Sequence, residues 1–461
     1  MLDTAISTIS GLAASSLPKV LMLSHNVGGG VARHITELAA TLEQQAHVLQ
    51  LKPCDDSRRK LCLELPAMES NAAVCQLVFV WPRHKELLWG LLGWLGVRHY
   101  HVHHVLGWPA DFWDELTRQP GWLDLTLHDH CIFGLADASR SNTGATSKLS
   151  TGSQNEAKQL LALAGQARRV LVPSGAMTEQ LHQSFLDLPS SSLLHRPHPE
   201  AELVDVFPVP RLRPLLAREP LRVLCLGMIS LEKGASNLAM TARLARQACA
   251  PLEFHLLGSC HAALPGNIHR HGSYRDEDIQ SLLKDIDPHL LWLPAVYPET
   301  WSYTLSAGLR AGLPVMTTDI GVFPERLLGR PLSWLHPANF CARQWLEALL
   351  EVRNQHLHES HAQSNWQYQP APAFYSGQGY IATNASGTEP QNASPLTAWQ
   401  ISQLLLNEAV PEQGFRLWLV RLLLRLKNWP PLAPLVRLIP YSWQRKLKRL
   451  ITRAPLYEEQ Q

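Results

Sequence analysis

Residues 289–319 read HLLWLPAVYPETWSYTLSAGLRAGLPVMTTD. An apolar run (289–296) ends at a proline-flanked carboxylate, Glu299. A stretch with helical spacing (302–311) follows, and Gly312 hands the chain to a second apolar run (313–319). The same alternation continues upstream, with a strand at 221–227 (LRVLCLG), a helix at 237–248, a strand at 254–258 and a helix at 276–286. Uninterrupted apolar strands separated by helices predict a parallel, doubly wound sheet covered on both faces.

An earlier stretch repeats the pattern. Residues 19–24 (KVLMLS) form an apolar run, followed by Gly28, Gly29 and Gly30 and then by Ile35, Leu38, Ala39 and Leu42 at helical spacing. Further apolar runs at 75–80, 97–106, 123–127 and 169–173 predict a first α/β domain. Residues 139–155 (SRSNTGATSKLSTGSQN) read as a long mobile loop within it. Six prolines from Pro197 to Pro220 mark the passage between the two domains. The expected organisation is an N-terminal extension (1–18), a first Rossmann-like domain (19–210), a second (211–355), a polar linker (356–400) and a basic tail (401–461). Ligands of open α/β sheets bind beyond the carboxyl ends of the strands, so residues at those ends are the functional candidates.

The chain has 461 residues, 46% hydrophobic and 17% charged, enough for two or three domains with large cores and too apolar for a disordered chain. Its net charge of +2 argues against a general nucleic-acid binder. The charge is uneven: ten basic and no acidic residues lie between Arg416 and Arg453, leaving 31 basic against 39 acidic residues elsewhere, a net −8. Eight scattered cysteines with no C-x-x-C pair fit a reducing compartment, so a cytoplasmic location is expected. No secretory leader is read at the N-terminus, and the apolar stretch 87–97 is about half of the ~20 residues a spanning helix needs.

The most specific chemistry lies at Glu299, where a carboxylate at a strand end precedes a helix whose free N–H groups suit a phosphate. Taken alone, the segment also reads as an ordinary strand, loop and helix with a surface carboxylate. In context it resembles the donor-sugar loop of retaining GT-B glycosyltransferases of family 4, closing with the A-x-G-x-P-V-like run Ala311-Gly312-Leu313-Pro314-Val315. Gly227 with Glu232-Lys233-Gly234 is similar to that family's diphosphate segment. The run from Val27 through Gly28, Gly29 and Gly30 to His34 resembles its N-terminal glycine turn. His128-Asp129 resembles its H-D element, and Pro173-Ser174 and His198-Pro199 its later P-S and H-P elements. Two positions depart from the pattern: the family's second Glu is Ala307 here, and its diphosphate-binding Arg is Met228.

The resemblance implies two such domains facing across a cleft and transfer of a sugar, with retention, from a nucleotide-sugar to a saccharide or lipid-linked glycan acceptor. A bacterial envelope or exopolysaccharide setting is the expected context. His128 and Glu299 would face the donor sugar, with Asp129 auxiliary to His128. Lys233 and the loop Thr300, Ser302, Tyr303, Thr304 and Leu305 would hold the diphosphate as charge builds on it. Gly28, Gly29 and Gly30 would admit the acceptor. No metal or other cofactor is expected. A non-catalytic subunit of the same fold, binding a saccharide or partner enzyme, is the alternative that Ala307 and Met228 raise.

The histidines suggest a rival. His99, His101, His103 and His104, with His128, Asp129 and His130, contain the H-x-H and D-x-H spacings of metal-dependent hydrolases. They read equally as histidines gathered at strand ends. In the tail, Trp443, Leu447, Leu450 and Ile451 oppose Arg445, Lys446, Lys448, Arg449 and Arg453 at helical spacing. A basic amphipathic helix of this kind suits an anionic membrane surface, and so peripheral attachment at the inner face of the cytoplasmic membrane. It also suits packing on the protein itself or on a partner.

Overall fold

A computed structural model describes the chain except for residues 1, 55–57, 69–73, 134–150, 186–187, 190–191, 204–206, 261, 359–365, 378, 382–395 and 407–461. Two compact units emerge: Met1–Val172 with His182–Pro199 and the described residues from Ala373 onward, and Pro173–Leu181 with Glu200–Pro372.

The first unit is built on β1 (Lys19–Leu23), β2 (His47–Pro53), β3 (Lys60–Leu65), β4 (Cys75–Val80), β5 (His99–Val102), β6 (Trp122–Thr126), β7 (Arg169–Val172) and β8 (Leu193–His195). They form one sheet in the order β4-β3-β2-β1-β5-β6-β7-β8. Pairing is parallel from β2 through β8, whereas β3 runs antiparallel to both β2 and β4. All residues of β1, β5 and β7 are buried, as strands covered on both faces require. The second unit carries β9 (Leu221–Ile229), β10 (Leu252–Cys260), β11 (Ile268–Gly272), β12 (Leu290–Leu293), β13 (Val315–Thr318) and β14 (Ser333–His336). These make a wholly parallel sheet in the order β11-β10-β9-β12-β13-β14.

The period of two along β9 divides the second core. Val223 and Cys225 pack on one face with Trp292, Trp345 and Leu238, while Leu224 and Leu226 pack on the other with Leu291, Leu293 and Leu305. Each sheet reverses its winding at one strand. In the first unit β1 pairs with both β2 and β5, and in the second β9 pairs with both β10 and β12. Beyond the carboxyl ends of those strands lie the crevices where such sheets bind ligands.

Three sequence expectations change. Part of the expected linker is core, since Phe374, Tyr375, Tyr380 and Ile381 pack with Val20, Met22, Ile35 and Leu38 of the first unit. The polar residues around them hid this segment, because its four apolar side chains follow no regular period. The expected loop at 139–155 ends early: residues 134–150 lie outside the described residues, and a helix already runs over Thr151–Gln166. The expected tail is divided too. Ile401 and Leu404 are buried on helix Ala398–Leu406, which packs with the N-terminal helix Leu2–Ala14, whereas 407–461, with Arg445, Lys446, Lys448 and Arg449, lies outside the described residues. No helix among the described residues is long and apolar enough to cross a membrane.

A buried charge fastens the 373–381 segment. Asp124 on β6, fully buried, accepts hydrogen bonds from Arg169 Nε (3.0 Å) and Nη2 and lies 2.7 Å from His99 Nε2. Arg169 in turn donates to the carbonyls of Gly379 (2.8 Å) and Tyr380 (2.9 Å). The Tyr380 hydroxyl lies 2.6 Å from His101 Nδ1, whose ring also reaches Thr126 Oγ1 at 2.8 Å. Burial alone would raise the Asp124 carboxyl, but the hydrogen bonds from His99 and Arg169 outweigh it and hold the group well below the usual carboxylate range. Asp124→Asn leaves Arg169 buried without its counter-charge, so a loss of about 3–5 kcal/mol is expected in chemical unfolding of the full chain. Tyr380→Phe removes a neutral hydrogen bond and should cost only about 1 kcal/mol in the same assay.

Candidate functional site

In the second unit the loop after β9 and the loop after β12 are laced together. The carbonyl of Glu232 accepts hydrogen bonds from the backbone N–H groups of Val296 (2.8 Å) and Tyr297 (3.2 Å). Gly234 makes this contact possible. It has φ +85° and starts the helix Ala235–Gln247, and a Cβ there would stand 1.9 Å from the carbonyl oxygen of Pro294. Gly227, at φ +99° near the end of β9, likewise admits the Thr304 methyl, which a Cβ would meet at 2.8 Å. With the loops joined in this way, Lys233 Nζ lies 3.3 Å from Glu299 Oε1. Glu299 is held from behind, its carbonyl accepting from Val322 N at 3.0 Å. The Lys233 side chain is 40% exposed, and so exposed an ion pair contributes about 0–1 kcal/mol to stability. Its chemical interest lies in placing a cation and a carboxylate together at the winding reversal of a parallel sheet.

The helix Tyr303–Arg310 begins next to that pair. Ser302 has φ +68°, its hydroxyl lies 3.2 Å from that of Thr304, and it makes no side-chain cap to the helix. The first-turn N–H groups of Thr304 and Leu305 have no intrahelical acceptor, as at any helix start. The side chains divide otherwise. Thr300 and Ser302 are buried, Leu305 packs wholly into the core, and Tyr303 and Thr304 are half-buried. Leu305 therefore offers a ligand only its backbone. Ala307 is also packed in that core, and Met228 is 39% exposed.

One residue that shapes this loop has no local sequence signal. Glu200, 3% exposed, accepts hydrogen bonds from Trp301 Nε1 (2.6 Å), from the Ser306 hydroxyl and from Arg310 Nη2 (2.7 Å). Arg326 stands 3.8 Å from the same carboxylate. It donates to the carbonyls of Trp301 (2.8 Å) and Ser302 (3.0 Å), and its guanidinium lies 4.0 Å from the centre of the Trp301 ring. Burial would raise the Glu200 carboxyl, but Arg326, Arg310 and the hydrogen bonds from Ser306 and Trp301 hold it below its ordinary value. These partners lie a hundred or more residues further along the chain, so only the fold reveals them.

In the first unit, Gly28 and Gly29 have φ +75° and +72°, and Gly28 precedes the helix Gly29–Thr41; all of Gly28–Gly30 is exposed. The backbone turn, not crowding, demands glycine at these two positions, since a Cβ at either would meet nothing within 4 Å. His128 follows β6, with its Nε2 3.1 Å from His103 Nδ1. Burial, with His34 and other neighbouring imidazoles, keeps His128 well below the usual histidine range, so its ring is neutral at pH 7. Asp129 is exposed; it reaches His104 Nε2 at 3.2 Å and accepts from Cys131 N at 2.8 Å, shaping the turn after His128.

The structure disperses the histidines of the rival hydrolase reading. His99 and His101 belong to the Asp124 network, His104 pairs with Asp129, and His130 stacks on Phe133 at 5.5 Å. Among the described residues, His103 and His128 are the two of that reading whose nitrogens gather at metal-binding distance, and a residue outside it, His34, joins them.

No family profile matches the chain, and no curated protein matches it. Among solved structures, the chain is similar to sucrose-phosphate synthase from Thermosynechococcus elongatus, with a TM-score of 0.51 and 14% identity over 74% of this chain and 90% of that one. HepE of Anabaena in complex with UDP and glucose aligns at a TM-score of 0.46 and 14% identity, over 74% and 91% of the two chains. The pneumococcal O-GlcNAc transferase GtfA, in complex with UDP and GlcNAc, aligns at 0.47 and 10%, over 74% and 92%. With its two doubly wound units, the chain has the fold of the GT-B glycosyltransferases.

Glu200→Gln is expected to cost about 3–5 kcal/mol near neutral pH, because two arginines lose a buried counter-charge. The folded carboxyl is held below its unfolded value, so its contribution is present above the unfolded range of about 4.3 and is lost as pH falls through the folded value. The gap between wild type and variant, measured by chemical unfolding at stepped pH, should therefore narrow in acid. An undiminished gap at low pH would assign the loss to packing instead of charge.

Proposed function

We propose that the chain transfers a sugar from a nucleotide-sugar donor to a saccharide or lipid-linked glycan acceptor with retention, as a hexosyltransferase of the bacterial cell envelope or of exopolysaccharide synthesis. The observation that carries this reading is the pairing of Lys233 with Glu299 beside the open first turn of the helix Tyr303–Arg310, at the winding reversal of the second sheet. In this reading a donor diphosphate takes over Lys233 and accepts from the N–H groups of Thr304 and Leu305. It leaves as charge builds on it, where a fixed cation and oriented dipoles stabilise it most. Glu299, released from Lys233, turns to the sugar hydroxyls. His128, neutral and half-buried, donates or accepts a hydrogen bond to the sugar, and Asp129 fixes the turn that presents it. The exposed glycine turn at Gly28–Gly30 leaves room for the acceptor. No step in this scheme calls for a metal.

Ala307 and Met228 remove a carboxylate and a guanidinium from the donor side of the family pattern. Each lost charged hydrogen bond is worth roughly 1.5–3 kcal/mol, so each departure is expected to lower donor affinity by about ten- to a hundredfold. The basic tail, through Arg445, Lys446, Lys448 and Arg449, would hold the protein at an anionic membrane surface within reach of a lipid-linked acceptor.

Thermal unfolding of the full chain with UDP-, GDP- and ADP-sugars tests the donor site. A ligand at ~100 times its dissociation constant adds about 2.7 kcal/mol, so one nucleotide class should raise the midpoint, and Lys233→Ala should abolish the rise. No shift with any donor at millimolar concentration would favour the non-catalytic reading. Sedimentation with anionic vesicles tests the tail. Wild type should pellet and the variant with all four basic residues changed to alanine should not, whereas equal behaviour of the two would remove the membrane from the proposal.

A further inference from the structure

His34, His103 and His128 come from three separate elements of the first unit: the helix Gly29–Thr41, the chain just beyond β5 and the chain just beyond β6. Each offers one ring nitrogen to a group whose atoms all lie within 4.8 Å of one another. His34 is fully buried, and neither of its ring nitrogens has a hydrogen-bond partner among the described residues; Nε2 of the buried His103 also lacks one. Buried polar groups are almost always satisfied, so a wholly unpartnered buried imidazole, His34, set against two others whose nitrogens lie within reach calls for a ligand that accepts lone pairs. The ring of His34 lies 4.8 Å from that of His128 and 5.2 Å from that of His103, centre to centre.

We propose that His34, His103 and His128 form a three-imidazole site for a divalent first-row metal of the zinc type, with the fourth position open to water or an anionic oxygen. Three histidines and an open position are a known donor set for tetrahedral zinc. Two nitrogens bound at about 2.0–2.1 Å in a tetrahedron stand roughly 3.3 Å apart, and His103 Nδ1 and His128 Nε2 already stand at 3.1 Å. Burial holds His34 down to about 3 and, with the neighbouring imidazoles, holds the other two well below their ordinary value; the hydrogen shared between His103 Nδ1 and His128 Nε2 shifts to another ring nitrogen when both ligate. His198, whose ring lies 4.3 Å from that of His34, flanks the group. The site shares His128 with the transfer reading, which itself draws on no metal.

The test is isothermal titration of chelator-treated, tag-free full-length protein with zinc(II), followed by metal analysis after gel filtration. Wild type should retain about one zinc per chain. His34→Phe, which keeps a buried ring, should weaken binding by more than the roughly 10–100-fold that loss of an outer-shell partner costs. His128→Gln, at a less buried position, serves the same purpose if His34→Phe fails to fold. A second histidine group, in which Glu253 on β10 lies 3.3 Å from His255 and 3.2 Å from His269 of β11, is the competing binder. His269→Ala should leave the stoichiometry unchanged. Wild type without retained zinc would overturn the proposal, and so would zinc lost on His269→Ala but kept by His34→Phe or His128→Gln. Both results are read without any sugar donor, so failure here says nothing against transfer, and failure of transfer says nothing against the metal.

Discussion

A parallel strand can pair with the next only after the chain has crossed back over the sheet, so every strand of a parallel sheet ends at the same edge. That constraint governs the second unit. All six strands are parallel, and β9 pairs on both sides because the chain winds first to β10 and later to β12. The loops leaving β9 and β12 are thereby neighbours although about sixty residues separate them in sequence. Lys233 and Glu299 meet because each sits a few residues past one of these two strand ends. The Glu232 carbonyl and Gly234 then remove the slack, since the contact with Pro294 leaves no room for a side chain at 234.

Burying an isolated carboxylate is costly, and both units bury one only with several donors around it. Asp124 and Glu200 each take an arginine and further hydrogen bonds, and in each case the charge network fastens a segment distant in sequence. Asp124, through Arg169, holds the backbone at Gly379 and Tyr380. Glu200 and Arg326 together hold Trp301, Ser302 and Ser306, the approach to the helix that faces the Lys233–Glu299 pair. Replacing such networks by apolar groups need not cost stability. Their value here lies in position, because a carboxylate with several directed donors tolerates fewer loop conformations than an apolar contact does.

The histidines illustrate how contact sorts residues that composition lumps together. Alternation along β5 directs His99, His101 and His103 to the same side, yet their neighbours differ. His99 meets Asp124, His101 meets Tyr380 and Thr126, and His103, just past the strand, meets His128 and His34. His101 is hydrogen-bonded at both ring nitrogens and His99 at Nε2. His103 stands among imidazoles whose nitrogens converge.

The sequence by itself marked the strand-helix alternation of both units, though not the antiparallel β3 of the first. Short continuous apolar runs such as 290–293, bounded by turn residues, read as strands buried on both faces, and the helical spacing between them reads as crossovers. Glu299, Lys233 and the glycine turn are singled out by the motifs that resemble a known family, since each lies in a short run of local sequence. The tertiary structure alone decided that Glu200 supports the loop after Glu299, that Phe374, Tyr375, Tyr380 and Ile381 complete the first core and that His34 joins His103 and His128. In each of these the deciding interaction joins residues from well-separated parts of the chain, and side chains at such separations carry no periodicity by which one could announce the other. Propensity and spacing act over a few residues, whereas hydrogen bonds and packing act wherever the folded chain returns.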